Sequence, residues 1–255
     1  MNRALRYRID LLTVLTQKEL KVRYKSSFLG YIWSVANPLA FTLVFFLAFK
    51  VIMRIQIENY VLFLITGLFP WQWFSNSVGA APGVLLGNAT LIKKVNFPRN
   101  YILLTMIVQD MIHYLFAVPV LIAVVLIYNI RPTVAWIYGF PILLALQFLV
   151  TYGVVMIISS VNLFFRDLER LTQIFVMLLF YATPIFYSES MIPEQYRYLL
   201  SINPLSPLIV SWRNLFMSGT IDLGYLFATL CWSLALYAFG KLVFNKLSTK
   251  FAEVL

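Results

Sequence analysis

The chain has 255 residues, of which 61% are hydrophobic and only 12% are charged. Average soluble domains carry about twice that charged fraction, so the composition excludes a chain built around a large soluble catalytic domain. The net charge of +10 would suggest nucleic acid as the partner of a soluble protein, but anionic membrane lipid explains it better here.

Six long stretches of the chain contain no Asp, Glu, Lys or Arg. A helix needs roughly 20 apolar residues to cross the hydrocarbon core of a bilayer, and the stretches lack the alternation of barrel strands. The sequence therefore predicts an all-α, polytopic membrane protein with six transmembrane helices. The predicted spans lie near residues 29–53, 60–84, 101–128, 134–162, 171–188 and 222–244.

The whole chain, residues 1–255, is expected to form a single transmembrane domain. A six-helix bundle over 29–244 follows an N-terminal interfacial segment over 1–28. The N-terminal segment, the links after spans 2 and 4, and the C-terminal segment together carry 15 of the 20 Lys and Arg residues. The positive-inside rule therefore predicts that both termini are cytoplasmic.

The first element in chain order is a predicted amphipathic helix over residues 4–22. Its apolar face is formed by Leu5, Ile9, Leu12 and Leu15. Such a helix can lie in the membrane interface and hold anionic lipid. Alternatively, it is a cytosolic helix that packs on the bundle.

Two tryptophans, Trp71 and Trp73, lie near the middle of predicted span 2. Because tryptophan usually sits at the membrane interface, this depth indicates that both face protein or a cavity. Aromatic faces suit the C–H groups of sugar rings, but they also fill cores. Both readings, a conduit for sugar and internal packing, remain open from the sequence.

The cytosolic link over residues 87–100 has a regular pattern. It predicts a short helix that ends before Phe97-Pro98, because proline disfavours helix in the preceding residue. The apolar positions of this helix are Leu91, Ile92 and Val95. Exposed apolar side chains there would indicate a docking surface, whereas the alternative is a turn on the membrane surface. The second cytosolic link, residues 164–170, has charges that neutralise one another and could dock likewise.

Asp110 and His113 lie one turn apart within predicted span 3. Ionisable residues inside a membrane are costly and often functional, so a proton relay is one hypothesis. A local hydrogen-bonded pair or a contact to a neighbouring helix is favoured, because one isolated acid makes a poor relay.

The segment 189–221 is the irregular part of the chain. Its charge-free centre, residues 198–212, is too short to span and contains two prolines. The segment is predicted to be outer and to contain short re-entrant helices, which need a protein-lined cavity. An interfacial loop on the membrane surface is the alternative.

The chemistry of soluble enzymes is missing from the sequence. There is no G-x-x-x-x-G-K-[ST] pattern, a single histidine excludes a His-rich metal centre, and no Cys/His group has zinc spacing. We therefore expect no cofactor and no metal bound by this chain, and no catalytic residue in it.

Several segments together closely resemble the permease subunits of bacterial polysaccharide ABC exporters, which export O-antigen, capsule and wall teichoic acid. The matching segments run in order through nearly the whole chain, and the O-antigen members are the nearest match. They are residues 19–33, 37–39, 91–99, 162–170, 183–187 and 203–205, with Arg213 following.

The resemblance implies a homodimer of six-helix subunits in the bacterial inner membrane, with two separate ATP-binding subunits that hold ATP and Mg²⁺. The implied substrate is a polysaccharide linked to undecaprenyl pyrophosphate. By this resemblance the residues that couple to the ATPase are Leu91, Ile92, Lys93, Lys94, Phe97, Pro98, Arg166 and Asp167. The residues at the lipid-pyrophosphate entrance are Arg23, Tyr24 and Lys25, unless these only anchor the chain to anionic lipid. The conduit or outer gate would include Trp71, Trp73, Tyr187, Asn203, Pro204 and Arg213.

Three other functions remain as alternatives. The nearest is a permease of the same architecture for teichoic acid, capsule, a small lipid or a drug. An intramembrane enzyme acting on lipid-linked sugar would need clustered acids, histidines or a metal site, which the sequence lacks. A protein-translocation subunit would explain neither the docking pattern over 87–100 nor the irregular outer segment.

Overall fold

The computed structural model describes residues 6, 10–17, 32–95 and 97–254. Within these ranges every regular element is a helix, which confirms the predicted all-α class. The α-helices are α1 (10–17), α2 (Trp33–Phe45), α3 (Tyr60–Gly87), α4 (Ala89–Lys94), α5 (Asn100–Ile127), α6 (Val134–Asn162), α7 (Leu168–Ala182), α8 (Tyr198–Ile202), α9 (Ser206–Met217), α10 (Leu223–Ser248) and α11 (Phe251–Val254). A π-helical stretch, Phe46–Ile52, continues α2, and two 3₁₀ turns, Glu189–Met191 and Glu194–Tyr196, precede α8.

Four helical stretches in the described part of the chain are long and apolar enough to cross a membrane. They are Val35–Ile52, Asn100–Ile127, Val134–Asn162 and Leu223–Ser248. Helix α3 has the length but is interrupted by polar residues, and α7 has only 15 residues. The polytopic membrane architecture is therefore supported, and the full count of six spans stays a prediction.

Helix α3 is the centre of the fold. It packs against α2, α5, α6, α7 and α9, and 18 of its 28 residues are buried. Polar side chains of α6 tie it to α3: Gln147 Nε2 donates to the Pro70 carbonyl over 2.7 Å, and Asn162 Nδ2 donates to the Pro82 carbonyl over 2.9 Å. Interhelical hydrogen bonds of this kind hold membrane helices together where the hydrophobic effect cannot.

Helices α6 and α10 form the closest helix pair, and two glycines allow it. A Cβ atom on Gly153 would stand 2.5 Å from the backbone carbonyl of Leu236, and a Cβ on Gly240 would collide with the Gly153 carbonyl. Small residues let membrane helices approach until their backbones touch. The sequence pattern Gly79, Gly83, Gly87 does not serve this purpose within the chain, because a Cβ on any of them would meet nothing within 4 Å.

Predicted span 5 is shorter than expected. The predicted span covers residues 171–188, but α7 ends at Ala182, and residues 183–187 are non-helical. Fifteen residues reach only about 22 Å at 1.5 Å per residue. The break follows from Pro184, which disfavours helical geometry at Thr183; Thr183 has an extended backbone, with φ −96° and ψ 137°.

Replacing Gly153 with valine should destabilise the chain, because the added side chain meets the α10 backbone, which cannot move aside. Overpacking of this kind costs about 1–3 kcal/mol or more, and the expected result is a clearly lower unfolding temperature in detergent. The matched control is Gly83→Ala on α3, where a methyl group meets open space. Equal unfolding temperatures for the two variants would contradict the close α6–α10 contact.

Candidate functional site

A large open cavity lies between α2, α3 and α7, and it is called here the α3–α7 cavity. Its volume is about 560 Å³, and its lining combines aromatic and uncharged polar side chains. The aromatic residues are Phe41, Phe45, Trp71, Phe180 and Tyr181. The polar residues are Gln72, Ser75, Asn76 and Gln173.

The polar lining of α3 follows helical spacing. At 100° per residue, Gln72, Ser75, Asn76 and Gly79 fall within an arc of about 100° on one face of the helix. Trp71 is predicted from the sequence as a lining residue, whereas Gln72, Ser75 and Asn76 are not, although their i, i+3, i+4 spacing is a signal for a shared helix face. The same face continues along α3 as the open, side-chain-free surface of Gly79, Gly83 and Gly87.

The two predicted conduit tryptophans have different positions. Trp71 lies in the wall of the α3–α7 cavity, is 5% exposed, and has its ring 5.4 Å from that of Phe180 on α7. Trp73 lies 200° further around α3, is only 2% exposed, and stacks on Tyr114 of α5 at 5.6 Å. This position supports the packing reading for Trp73, and its part in a conduit stays a prediction.

Arg213 on α9 holds the non-helical segment after α7. Its Nη2 donates to the carbonyls of Pro184 (2.7 Å) and Ile185 (3.1 Å), and its guanidinium carbon lies 3.6 Å from the centre of the Phe63 ring. Gly67 leaves room for this side chain, since a Cβ there would stand 3.1 Å from Nη2. The guanidinium is 7% exposed, so it is a buried anchor of this segment. Its part in an outer gate stays a prediction.

Asn203 completes this arrangement from the link between α8 and α9. Its Nδ2 donates to the Ala182 carbonyl (3.1 Å) and to Thr183 Oγ1 (2.9 Å), while its Oδ1 accepts from the Leu205 amide (2.9 Å). We call Asn203 and Arg213 the carbonyl clamp, because together they hold the carbonyls of residues 182, 184 and 185.

Two further side chains contact the same non-helical segment. Tyr60 at the start of α3 donates its hydroxyl to the Phe186 carbonyl (2.8 Å), and Tyr187 donates to the Tyr181 carbonyl (3.3 Å). Tyr187 and Pro204 are half-buried beside the clamp. Residues 183–187, which carried part of the family resemblance, are therefore a fixed bend.

Asp110 is a buried member of a local hydrogen-bond network. Ser77 Oγ on α3 donates to Asp110 Oδ2 on α5 over 2.8 Å, and the carboxylate is 3% exposed. His113 is half-buried, and both residues also make further interactions. This geometry supports the favoured reading, in which Asp110 joins two helices.

The link after α3 has an apolar inner face and a basic outer face. Ile92 and Phe97 are buried, Leu91 is half-buried, and Lys93 and Lys94 are exposed. The expectation that Ile92 is exposed for docking is wrong, because its side chain anchors α4 to the bundle. Pro98 at the end of the link is exposed, and so are Arg166 and Asp167 in the second link.

Helix α1 lies against the same end of the bundle. Leu15 of α1 and Leu91 of α4 line one small cavity together with α3 and α5 residues, and Thr16 is buried. This contact supports the packed alternative for the part of the N-terminal helix that the structure describes. Arg23, Tyr24 and Lys25, predicted at the lipid-pyrophosphate entrance, lie outside the described residues.

Metal ligands are not clustered in the described part of the chain, where no group of three His, Cys, Asp or Glu side chains could hold a metal ion. The polar groups of the α3–α7 cavity are amides and hydroxyls. Such groups can exchange hydrogen bonds with a neutral hydroxylated ligand but supply neither a nucleophile with a base nor a charged cage.

Comparison with known proteins agrees with this membrane architecture. The family model for the ABC-2 type transporter matches residues 10–217. The chain belongs to the ABC-2 type transporter family. This membership confirms the resemblance to ABC exporter permeases at the level of the family.

Three relatives of this ABC-2 type chain cover most of its length. An O-antigen export system permease protein RfbA of Klebsiella pneumoniae is 47% identical over 249 residues, which cover 98% of this chain and 96% of the relative. A protein of the same name from Myxococcus xanthus is 32% identical, covering 95% and 94% of the two chains. A polysialic acid transport protein KpsM of Escherichia coli is 26% identical, covering 81% of each.

Replacing Arg213 with glutamine should destabilise the ABC-2 type chain, because the shorter side chain leaves the Pro184 and Ile185 carbonyls without a donor. Each unsatisfied buried group costs about 1–3 kcal/mol, so the unfolding temperature should fall and protease should cut within residues 183–187. Arg197→Gln is the control, since exposed ion pairs contribute about 0–1 kcal/mol. Arg197 pairs with exposed Glu194 at 3.7 Å and donates to the Ile192 carbonyl over 3.4 Å at an exposed position. A tolerated Arg213 change would show that the clamp is dispensable.

Proposed function

We propose that this chain is the permease subunit of an ATP-driven exporter that moves undecaprenyl-pyrophosphate-linked polysaccharide, most closely O-antigen, across the bacterial inner membrane. The observation that carries the proposal is the α3–α7 cavity, where aromatic rings alternate with uncharged amides and hydroxyls. The substrate class is supported by the O-antigen export permeases that are 47% and 32% identical over nearly the full chain. Capsule and teichoic acid remain the nearest alternative cargoes.

The chemistry of the cavity suits a glycan. A sugar chain carries many hydroxyl groups, and each one that enters hydrocarbon without a partner costs several kcal/mol. Gln72, Asn76 and Gln173 both donate and accept hydrogen bonds, and the exposed rings of Phe41 and Tyr181 offer aromatic faces to ring C–H groups. Since none of these groups is charged, successive sugar units exchange similar weak contacts, and the chain can slide.

A second copy of this chain would complete the path. Helix α7 buries only Thr172 within the chain and exposes large apolar side chains on most of its surface. Exposed apolar residues on α2 continue this surface on the other side of the cavity. A homodimer would enclose the open side of the α3–α7 cavity and turn two half-channels into one conduit.

The proposed topology has six spans and both termini in the cytoplasm. Helices α3 and α7 would supply the two spans beyond the four that satisfy length and hydropathy on their own. In the dimer the polar face of α3 would face the conduit instead of lipid. The short helix α7 would be followed by the segment that the carbonyl clamp holds. Helix α9 is too short to span and is buried between α3, α6 and α10, which supports the re-entrant reading of the segment 189–221.

Energy would come from two separate ATP-binding subunits, which would hold ATP and Mg²⁺ and contact the cytoplasmic links. Lys93, Lys94 and Pro98 on the first link and Arg166 and Asp167 on the second form the accessible surface for this contact. Ile92 and Phe97, buried beneath them, would pass the motion to α3 and α5 because they fix the link rigidly to the bundle. Arg23, Tyr24 and Lys25 remain proposed for the lipid-pyrophosphate entrance.

The experiment that tests the function is complementation of a strain whose own copy of this gene is deleted. Wild-type chain should restore surface O-polysaccharide, whereas Asn76→Trp should restore little, because the larger ring fills the α3–α7 cavity. Leu234→Trp is the control, since Leu234 is an exposed residue of α10 remote from the cavity. Unchanged surface polysaccharide in the deletion strain would contradict the function, and full export by Asn76→Trp would contradict the path.

Coupling is tested separately by reversing the charge of the first link. Lys93→Glu with Lys94→Glu should reduce glycan-dependent ATP hydrolysis of the reconstituted complex by about ten-fold or more, because like charges across an interface repel. Both side chains are exposed, so the amount of folded chain should not change. The control is Lys246→Glu, which reverses the charge of an exposed lysine in the last turn of α10, outside the two cytoplasmic links. Normal ATP hydrolysis in the double variant would rule out this docking surface.

A further inference from the structure

A second cavity, called here the outer cavity, lies between the short helix α8, the start of α9 and the start of α10. Its volume is about 490 Å³, within the range of about 300–1,000 Å³ that is typical of small-molecule sites. It is separate from the α3–α7 cavity and shares no lining residue with it. Its polar lining is formed by Glu189, Arg197, Ser201, Ser206, Asp222 and Tyr225.

One buried group in this lining has no partner. Ser206 is 2% exposed, and its Oγ makes no hydrogen bond to any described residue. A buried hydroxyl without a partner costs about 1–3 kcal/mol. No backbone carbonyl of the neighbouring described residues accepts a hydrogen bond from the Ser206 hydroxyl. Because Ser206 lines the outer cavity, a ligand with hydroxyl groups in that cavity would satisfy it.

The two carboxylates of the cavity are held in fixed positions. Asp222 Oδ1 accepts hydrogen bonds from the amides of Gly224 (2.8 Å) and Tyr225 (3.0 Å), and so caps α10. The Tyr225 hydroxyl donates to Glu189 Oε2. Each carboxylate therefore keeps one oxygen for another donor, and neither is free to close around an ion.

The charged side chains of the outer cavity disfavour binding of a metal cation or of a phosphate anion. A divalent cation would need more oxygen ligands than two committed carboxylates provide, and the guanidinium of Arg197 in the same lining would repel it. A phosphate group would meet two carboxylates and a single arginine that already pairs with Glu194 at 3.7 Å. A neutral ligand with several hydroxyl groups fits best, since hydroxyls donate to carboxylates and accept from arginine and serine.

We propose that the outer cavity is a binding subsite for one or two neutral sugar units of the exported glycan, held by Glu189, Asp222, Arg197 and the Ser206 hydroxyl. The ring of Tyr225 supplies an apolar face beside these polar groups. The subsite retains sugar units outside the main path after they leave it and so opposes their return. This inference rests on the proposed function of glycan export.

The test places a photoreactive p-benzoylphenylalanine at Leu200, which lines the outer cavity, in cells whose surface polysaccharide depends on this chain. The control position is Leu199, which is exposed but does not line the cavity. Illumination during export should join glycan to the Leu200 variant and not to the Leu199 variant. The adduct is recognised by its larger size and by its loss on periodate treatment, which cleaves vicinal diols. Ala228, from the α10 side of the same cavity, is the second position in case the Leu200 variant does not fold.

The Ser206→Ala variant distinguishes a sugar-binding role of Ser206 from a purely structural role. Removing an unsatisfied buried hydroxyl should leave the unfolding temperature unchanged or higher, while the glycan adduct at Leu200 falls about five-fold, as expected for the loss of one hydrogen bond. An unchanged adduct yield would exclude Ser206 from the site and overturn the arrangement proposed here.

The remaining outcomes distinguish failure of the proposed sugar subsite from failure of the proposed export function. Normal surface polysaccharide with no glycan adduct at Leu200 and Ala228, or with an equal adduct at Leu199, overturns the subsite and leaves export intact. A phospholipid adduct at Leu200 identifies a lipid headgroup as the occupant and also overturns it. Surface polysaccharide that does not depend on the chain overturns the proposed function and the subsite together.

Discussion

The structure depends on one constraint: hydrocarbon offers no hydrogen-bond partner, so every polar group at membrane depth must find one within protein. The chain breaks its fifth long apolar segment at Ala182, and this break releases the carbonyls of residues 182 and 184–186. Asn203 and Arg213 hold three of them, and Tyr60 holds a fourth. Helix α9, buried between α3, α6 and α10, brings Arg213 to that bend.

The same constraint explains the chemistry of the α3–α7 cavity. In the proposed function, a glycan that crosses the membrane brings its own polar groups, and Gln72, Asn76 and Gln173 would replace the water that it loses. Trp73, Tyr114 and Trp212 form an aromatic core on the other side of α3, with ring centres 5.5–5.6 Å apart. Helix α3 thus separates a packed aromatic side from an open polar side.

The sequence predicted most of the fold because a lack of charge is a direct consequence of burial in hydrocarbon. Helices Asn100–Ile127 and Val134–Asn162 match their predicted spans within one residue at each end. The end of α7 was missed although Pro184 signalled it, because the charge-free run continues to residue 188. The roles of Trp73, Ile92 and Arg213 could not be predicted, since each depends on which helix packs on which side, and that information is not local in the sequence.

The most direct test of the account is a cryo-EM map of the assembled exporter, stopped during transport by an ATP-binding partner that cannot hydrolyse ATP. We expect sugar-ring density along the α3–α7 cavity, in contact with Trp71 and with the amide groups of α3 and α7. We also expect a bent, well-ordered segment after Ala182. Sugar density along the lipid-facing surface of α10, or a continuous helix through Pro184, would contradict it.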